Sequence, residues 1–388
     1  MRITIVQGAF FPVPAVMGGA VEKVWHALGK EFSRRGHQVT HVSRQYLEMP
    51  VREVADGVQH VRVPGFDAPA SLLRLKALDF IYSLRVLWRL PAADILVTNT
   101  FWLPVLVRDP NLGETYVHVA RYPRGQMRFY SRVARLQTVT RSVADAIKRE
   151  APRLRSRVRV IPYPTIENGT GEPSGDCAGS KAKRILFVGR VHPEKGLALL
   201  IQAFAIIPRE RLAGWRLVIV GPAETRHGGG GETYLKHLKT IAAPIADRVD
   251  WVGAVFDPGQ LADFYRQASI FVYPSLAEFG ETFGLAPLEA MSNGCPPLVS
   301  DLHCFRDYLQ DGVNGYVFDH RASDPAECLA RRIEECIGDL QGLKRTAQRA
   351  LLTAQDYTVQ SVGDAFLRDF ESVLHENAAH HPRRGKSN

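Results

Sequence analysis

Two glutamates, Glu281 and Glu289, stand eight positions apart in the run PSLAEFGETFGLAPLEAMSNG, on either side of a Phe283-Gly284-Leu285 turn. Ahead of them, Ile270 to Tyr273 is a short apolar run closed by Pro274 and Ser275, which predicts a buried strand. Pro287 suits the first turn of a helix, where its missing N–H costs nothing, and Asn293-Gly294 suits the end of one. A strand, a glycine loop and a helix N-terminus make an anion site, because unpaired backbone N–H groups point outward there. One carboxylate precedes that site and one follows it. A phosphate on the helix end with hydroxyl-bearing groups on both sides describes a sugar nucleotide.

Cations stand where a diphosphate needs them. GRVHPEKG follows the apolar run ILFV, at the carboxyl edge where ligands of open α/β sheets gather. Arg190 and Lys195 are five apart across that loop, so both are expected to converge on one diphosphate, the first as a planar fork and the second as a mobile point charge. Gly18-Gly19 precedes the helical pattern AVEKVWHALGKEFSRRG, and a glycine pair lets backbone approach a phosphate. Taken alone, a helix start also wants glycine. His118 closes a predicted strand in TYVHVARYPRGQMRFY; a histidine on an apolar strand is ordinarily a satisfied core residue.

The run ETFGLAPLE resembles the E-x7-E signature of retaining glycosyltransferases with the GT-B fold, specifically family 4. The resemblance implies that Glu281 contacts the donor sugar and that Glu289 holds the ribose hydroxyls. Phe283, Gly284 and Leu285 then belong to the donor site. Glu278 competes for the first role, since EFG imitates the usual EGFG, but the register to FGL and LEAM favours Glu281. GR-x4-KG is similar to the family's diphosphate element and Gly18-Gly19 to its Gly-Gly loop. At the place of His118 the family has a histidine beside the reacting sugar carbon. The implied architecture is two Rossmann-like doubly wound parallel-sheet domains with the active site in the cleft between them.

The elements needed to position these residues are legible. Strands are predicted at Arg2–Val6, Gln38–Ser43, Val58–Val63, Ile95–Thr98, Tyr116–Ala120 and Val158–Ile161, with helices at Gly19–Arg35, Leu72–Leu90 and Ser142–Glu150. Alternating β and α with apolar strands implies a parallel α/β sheet. A stretch rich in glycine, proline and serine, PTIENGTGEPSGDCAGSKAK, reads as a linker, after which RILFVG, WRLVIVG, RVDWVG, SIFVYPS and PPLVSD restart the pattern. The expected division is residues 1–165, an acceptor-side domain; 166–183, a linker; 184–355, a nucleotide-sugar domain; 356–376, a helix returning to the first domain if the resemblance holds; and 377–388, a disordered tail. RHGGGGE reads as a mobile surface loop.

Composition agrees with this outline and narrows the function. The 388 residues are 45% hydrophobic and 23% charged, ordinary for a globular protein of two or three domains. No apolar run reaches the ~18 residues of a spanning helix, and MRITIVQGAFF reads as a first strand, not a signal peptide. Five cysteines without a C-x-x-C pair suit free thiols in a reducing cytoplasm. No D-x-D occurs, so no metal or other cofactor is expected and cation duty falls to Arg190 and Lys195. Neither G-x-G-x-x-G after the first strand nor G-x4-G-K-[ST] is present to suggest dinucleotide or ATP use.

The charge is uneven. Of a formal net +9, the stretch from Arg121 to Arg159 alone carries twelve Lys or Arg against two acids. Arg124, Arg128, Arg132 and Arg135 fall at helical spacing, predicting one basic stripe; with Arg121 they are the acceptor-side candidates. An anionic acceptor, a nearby anionic membrane and a merely solvated face all fit. Leu72 to Leu90 interleaves apolar residues with Arg74, Lys76, Arg85 and Arg89, which fits interfacial docking, though a buried Rossmann helix fits slightly better. The reading is a metal-independent, nucleotide-sugar-dependent hexosyltransferase with a glycan or lipid-linked acceptor, cytoplasmic or peripheral at a membrane. A GT-B epimerase or phosphorylase is the alternative within enzymes. A nucleic-acid-binding protein is disfavoured by the few aromatics in the basic stretch.

Overall fold

Short apolar runs and amphipathic helices alternate along the chain and build two parallel sheets, each within its own unit. The computed structural model describes residues 1–69, 71–166 and 181–380, the last three without their side chains. The first unit takes in Met1–Pro164 and the chain from Val359 onward; the second is Thr165–Thr358.

In the first unit the order is β1 (Arg2–Val6), α1 (Ala20–Arg34), β2 (Gln38–Gln45), β3 (Arg52–Ala55), β4 (Val58–Pro64), α2 (Leu72–Leu87), β5 (Ile95–Thr98), α3 (Leu103–Leu106), β6 (Glu114–Val119), β7 (Arg135–Thr138), α4 (Arg141–Glu150) and β8 (Val158–Val160). These strands form an eight-stranded sheet in the order β3-β4-β2-β1-β5-β6-β7-β8, parallel except for the β3–β4 pair. The sequence outline missed β3, an exposed edge hairpin partner, and β7, whose RLQT is polar yet wholly buried. Val42, Val61, Val63 and Leu96 pack under Tyr82 and Val86 of α2.

The second unit runs β9 (Ala182–Val188), α5 (Leu197–Ile206), β10 (Arg216–Val220), α6 (Gly231–Ile241), β11 (Val249–Gly253), α7 (Pro258–Gln267), β12 (Ala268–Tyr273), α8 (Leu285–Ser292), β13 (Pro297–Ser300), β14 (Tyr316–Phe318), α9 (Pro325–Gly338) and α10 (Leu340–Gln355). Its six strands are all parallel, in the order β11-β10-β9-β12-β13-β14. The order reverses at β9 and β12, so the loops after these two strands flank the switch point where such sheets bind ligands. Both units are doubly wound α/β sheets.

Helix α11 (Val359–His380) belongs to the first unit. Its Phe366 and Phe370 pack on Trp25, Phe32 and Tyr116. Asp369 and Glu376 take the guanidinium of Arg135, which is 1% exposed. The helix continues past the expected boundary at 376, and β9 begins inside the expected linker. Residues 167–180 and 381–388 lie outside the described residues.

The glycine run 228–231 corrects the expectation of a mobile loop. Gly229 N–H donates to Glu224 O at 3.0 Å, Gly230 N–H to Val191 O at 2.8 Å and Gly231 N–H to Ala223 O at 2.8 Å. The segment is tied to the loop after β9 and leads directly into α6.

Candidate functional site

The loops after β9 and β12 hold the centre of the candidate site. After β9, His192 caps a short 3-10 turn, Pro193–Lys195, with its Nδ1 accepting from Glu194 N–H. Gly196 then adopts φ 69°, and a Cβ there would lie 1.9 Å from Pro274 O. Only glycine lets the two loops press together so closely. They are also bonded: Leu276 N–H donates to Glu194 O at 2.8 Å.

That contact places Lys195 against Glu281. Lys195 Nζ donates to Glu281 Oε2 at 2.7 Å, and both residues are over nine-tenths buried. The same oxygen accepts from Tyr273 Oη at 3.0 Å and Ser275 Oγ at 3.3 Å. Burial, with the Glu281 charge adding to it, lifts the Tyr273 hydroxyl well above the usual tyrosine range, so it stays a donor. Tyr273 and Ser275 were not singled out from the sequence; their place at the carboxyl end of the strand beside the switch point is the signal that marks them.

Glu278 lies elsewhere. It pairs with Arg321 at 2.7 Å and His320 at 3.0 Å on the surface, away from Lys195. Of the two glutamates that compete in the sequence, Glu281 is the one set into the loop contact.

The turn into α8 is built around Gly284, at φ 78° and ψ 73°. A Cβ here would sit 2.3 Å from the Phe305 ring, so both conformation and space require glycine. Tyr308 Oη donates to Phe283 O at 3.1 Å and Gly284 O at 2.9 Å, fixing the turn. The helix has no side-chain cap, which leaves its first N–H groups for other acceptors. Glu289 follows one turn into α8, half-buried, its carboxylate accepting from Tyr265 Oη at 3.4 Å.

Arg190 does not converge with Lys195 on one point. Its guanidinium forks between Glu194 Oε1 at 2.6 Å and Gly228 O at 2.9 Å, so each cation holds a different carboxylate.

In the first unit, Gly18 and Gly19 have φ 80° and 108°, values that favour glycine. The Glu22 carboxylate folds into the space beside Gly19, 2.3 Å from where a Cβ would be. Burial raises its pKa to about 7, against the pull of its own backbone N–H and of Arg121. An anion at the start of α1 has to share that position with Glu22.

His118 is 3% exposed and both its ring nitrogens are engaged, Nδ1 with Gln137 Oε1 at 2.6 Å and Nε2 with Tyr163 Oη at 3.0 Å. Trp25 meets it edge-on, and burial lowers its pKa to about 4. In this arrangement His118 is a buried, neutral residue with both ring nitrogens engaged within the first unit.

The basic stripe is corrected as well. Gly125, at φ 95°, breaks the helical spacing, and Glu150 accepts from Gly125 N–H at 2.7 Å and Met127 N–H at 2.6 Å. Arg121 and Arg124 lie in the loop and Arg128 in a 3-10 turn, all exposed; Arg135 is on β7, buried under α11. The four arginines share no helix face.

Residues 178–350 match the family model described as glycosyl transferases group 1, which takes in most of the second unit. Along nearly its full length the chain is 24% identical to spore coat protein SA of Bacillus subtilis, covering 96% of this chain and 99% of that one. It is 29% identical to the D-inositol 3-phosphate glycosyltransferase of Nocardia farcinica over 57% of this chain and 49% of that protein, spanning about half that relative's length. Among solved structures, sucrose-phosphate synthase from Thermosynechococcus elongatus superposes with a TM-score of 0.75 over 97% of this chain and all of that one, at 16% identity. Anabaena HepE in complex with UDP gives 0.70 over 96% of this chain and all of that one, at 18% identity. The fold is GT-B. Together with the family match, these likenesses support a glycosyltransferase.

Proposed function

We propose that this protein is a retaining glycosyltransferase of family 4 that moves a hexose from a nucleoside-diphosphate sugar to an acceptor hydroxyl without a metal ion. The observation that carries this reading is the buried Lys195–Glu281 pair beside the uncapped start of α8. A lysine ammonium has three donors, so Lys195 orients Glu281 and still has N–H to offer a phosphate. HepE, of like fold, is solved with UDP, which supports a nucleotide donor.

Charge gathers on the departing diphosphate, and Lys195 and the first N–H groups of α8 stabilise it, with Arg190 joining them on turning from Glu194 and Gly228 O. Glu281 holds the sugar hydroxyls and Glu289 the ribose. The acceptor hydroxyl attacks from the face the diphosphate leaves, and a phosphate oxygen takes its proton. An acceptor that is a glycan or is lipid-linked suits the excess of exposed arginines from Arg121 to Arg159, in a cytoplasmic setting at a membrane face.

Thermal melting against a panel of nucleotide sugars tests the reading, since a ligand at 100 times its Kd adds about 2.7 kcal/mol to stability. Glu289→Ala is expected to weaken the preferred donor by about 1–3 kcal/mol through unpaired ribose hydroxyls. Undiminished donor affinity in that variant removes Glu289 from the ribose. Release of nucleoside diphosphate only when acceptor is present separates a transferase from an epimerase. Turnover is expected to persist in excess EDTA; loss that Mg²⁺ or Mn²⁺ restores overturns the metal-independent part.

A further inference from the structure

The helix that the sequence places slightly in favour of burial is buried along one face only. Asp79, Tyr82, Ser83 and Val86 of α2 are buried against the core, and Leu87 packs partly against it. On the opposite side lie Leu73, Phe80, Ile81 and Leu84, with Trp88 just past the end of the helix; Leu73 and Trp88 are 80% and 87% exposed, while Phe80 and Leu84 are about a third exposed, Phe80 edge-on to Trp102. A helix on the surface of a sheet ordinarily has one apolar face; this one has two, and the second meets solvent.

The charges that α2 itself places around that outer stripe have one sign. Exposed Arg74 and Arg89 lie along one flank and Lys76 along the other, while the helix's one acid, Asp79, is turned inward, accepting from Phe101 and Trp102 N–H. An apolar stripe with a tryptophan near its end and cations on both flanks suits the boundary between acyl chains and anionic headgroups. At sixteen residues α2 is too short to cross a bilayer, and no helix among the described residues is long and apolar enough to do so.

We infer that the outer face of α2 is a docking surface for an anionic phospholipid bilayer, lying in the interface with Leu73, Phe80, Leu84 and Trp88 among the acyl chains and the flanking cations at the headgroups. The single sign of the flanking charge selects this occupant over a second copy of the chain, whose identical stripe would bring like charges together. The inference is independent of the donor chemistry, because lipid binding is read without a nucleotide sugar.

The test is flotation of the full-length protein with phosphatidylcholine vesicles, with and without phosphatidylglycerol. The protein is expected to float with the anionic vesicles and to stay behind with the neutral ones. Leu73→Ser with Trp88→Ser is expected to lower partitioning roughly tenfold or more while melting as the parent does, since both side chains already face water. Arg74→Gln with Arg89→Gln is expected to lower it roughly tenfold and to flatten its salt dependence. Equal flotation of parent and Leu73→Ser/Trp88→Ser protein overturns the inference, as does a parent that stays behind with anionic vesicles. Concentration-dependent self-association in sedimentation, abolished by the same pair while flotation is absent, assigns the stripe to a second copy and overturns it too.

Discussion

Lys195→Ala is expected to lower the turnover of the sugar nucleotide by roughly 10²-fold or more, the scale of losing one stabiliser of a developing anion. The same change removes the cation from a carboxylate that is nearly inaccessible to water. Breaking a buried pair from one side is expected to destabilise the second unit by about 3–5 kcal/mol, because Glu281 keeps its charge and loses its counterion. The two effects are separable. Lys195→Met with Glu281→Gln restores much of the stability, since Tyr273 and Ser275 still donate to the amide oxygen, while turnover stays low. Denaturant unfolding beside steady-state kinetics reads both. A single variant with unchanged turnover places the stabilising cation elsewhere in the loop.

The second large effect is on acidification. His41 and His60 are register partners on β2 and β4, with rings 5.8 Å apart, and His26 of α1 lies 5.8 Å from His60. Both His41 ring nitrogens and His60 Nδ1 are buried without a hydrogen-bond partner among the described residues. Burial, and then the neighbouring imidazoles, hold His41 well below the usual histidine range and His26 at about 4. His118 is held at about 4 by burial.

A histidine lowered in the folded state binds its proton more readily once unfolded. These groups therefore favour the fold above pH 6.5, and that stability is lost as pH falls from 6.5 toward 4. Glu22, raised to about 7, works the other way and returns part of it. His41, His118, His26 and His60 all shift in the same direction against the single opposing shift of Glu22, so the net effect is a loss of stability as pH falls. The melting temperature, followed by circular dichroism, is expected to fall between pH 6.5 and 4.5. His41→Leu is expected to flatten that fall, and an equally steep fall in the variant locates the protonation elsewhere.

Much of the candidate site was legible because its parts are local. The strand ending at Tyr273, the Gly284 turn and the two glutamates of ETFGLAPLE lie within a single run, where spacing alone orders them. What could not be read depends on partners far along the chain. Arg135 has the spacing of a surface stripe, and its burial follows from Asp369 and Glu376, more than two hundred residues later. His118 reads from its strand as a core residue and from the resemblance as a sugar contact, and the contacts of its ring with Gln137 and Tyr163 come from far along the chain. Helix α2 was ambiguous because apolar residues on both faces leave no periodicity to tell inside from outside. The glycine run 228–231 looked mobile because composition does not show the carbonyls of Ala223, Glu224 and Val191 that hold it.

The return of α11 to the first unit sets the order in which the chain acquires structure as it is made. Everything needed for the second unit has left the ribosome once Thr358 is clear. The first unit, begun earlier, still lacks Phe366 and Phe370 against Trp25, Phe32 and Tyr116, and the two acids that neutralise Arg135. Until the codons of α11 are translated, its sheet waits with an apolar face and a guanidinium uncovered. The unit whose strands are made before the other's is thus completed after it, and its window of exposure to chaperones and proteases spans the making of the second unit.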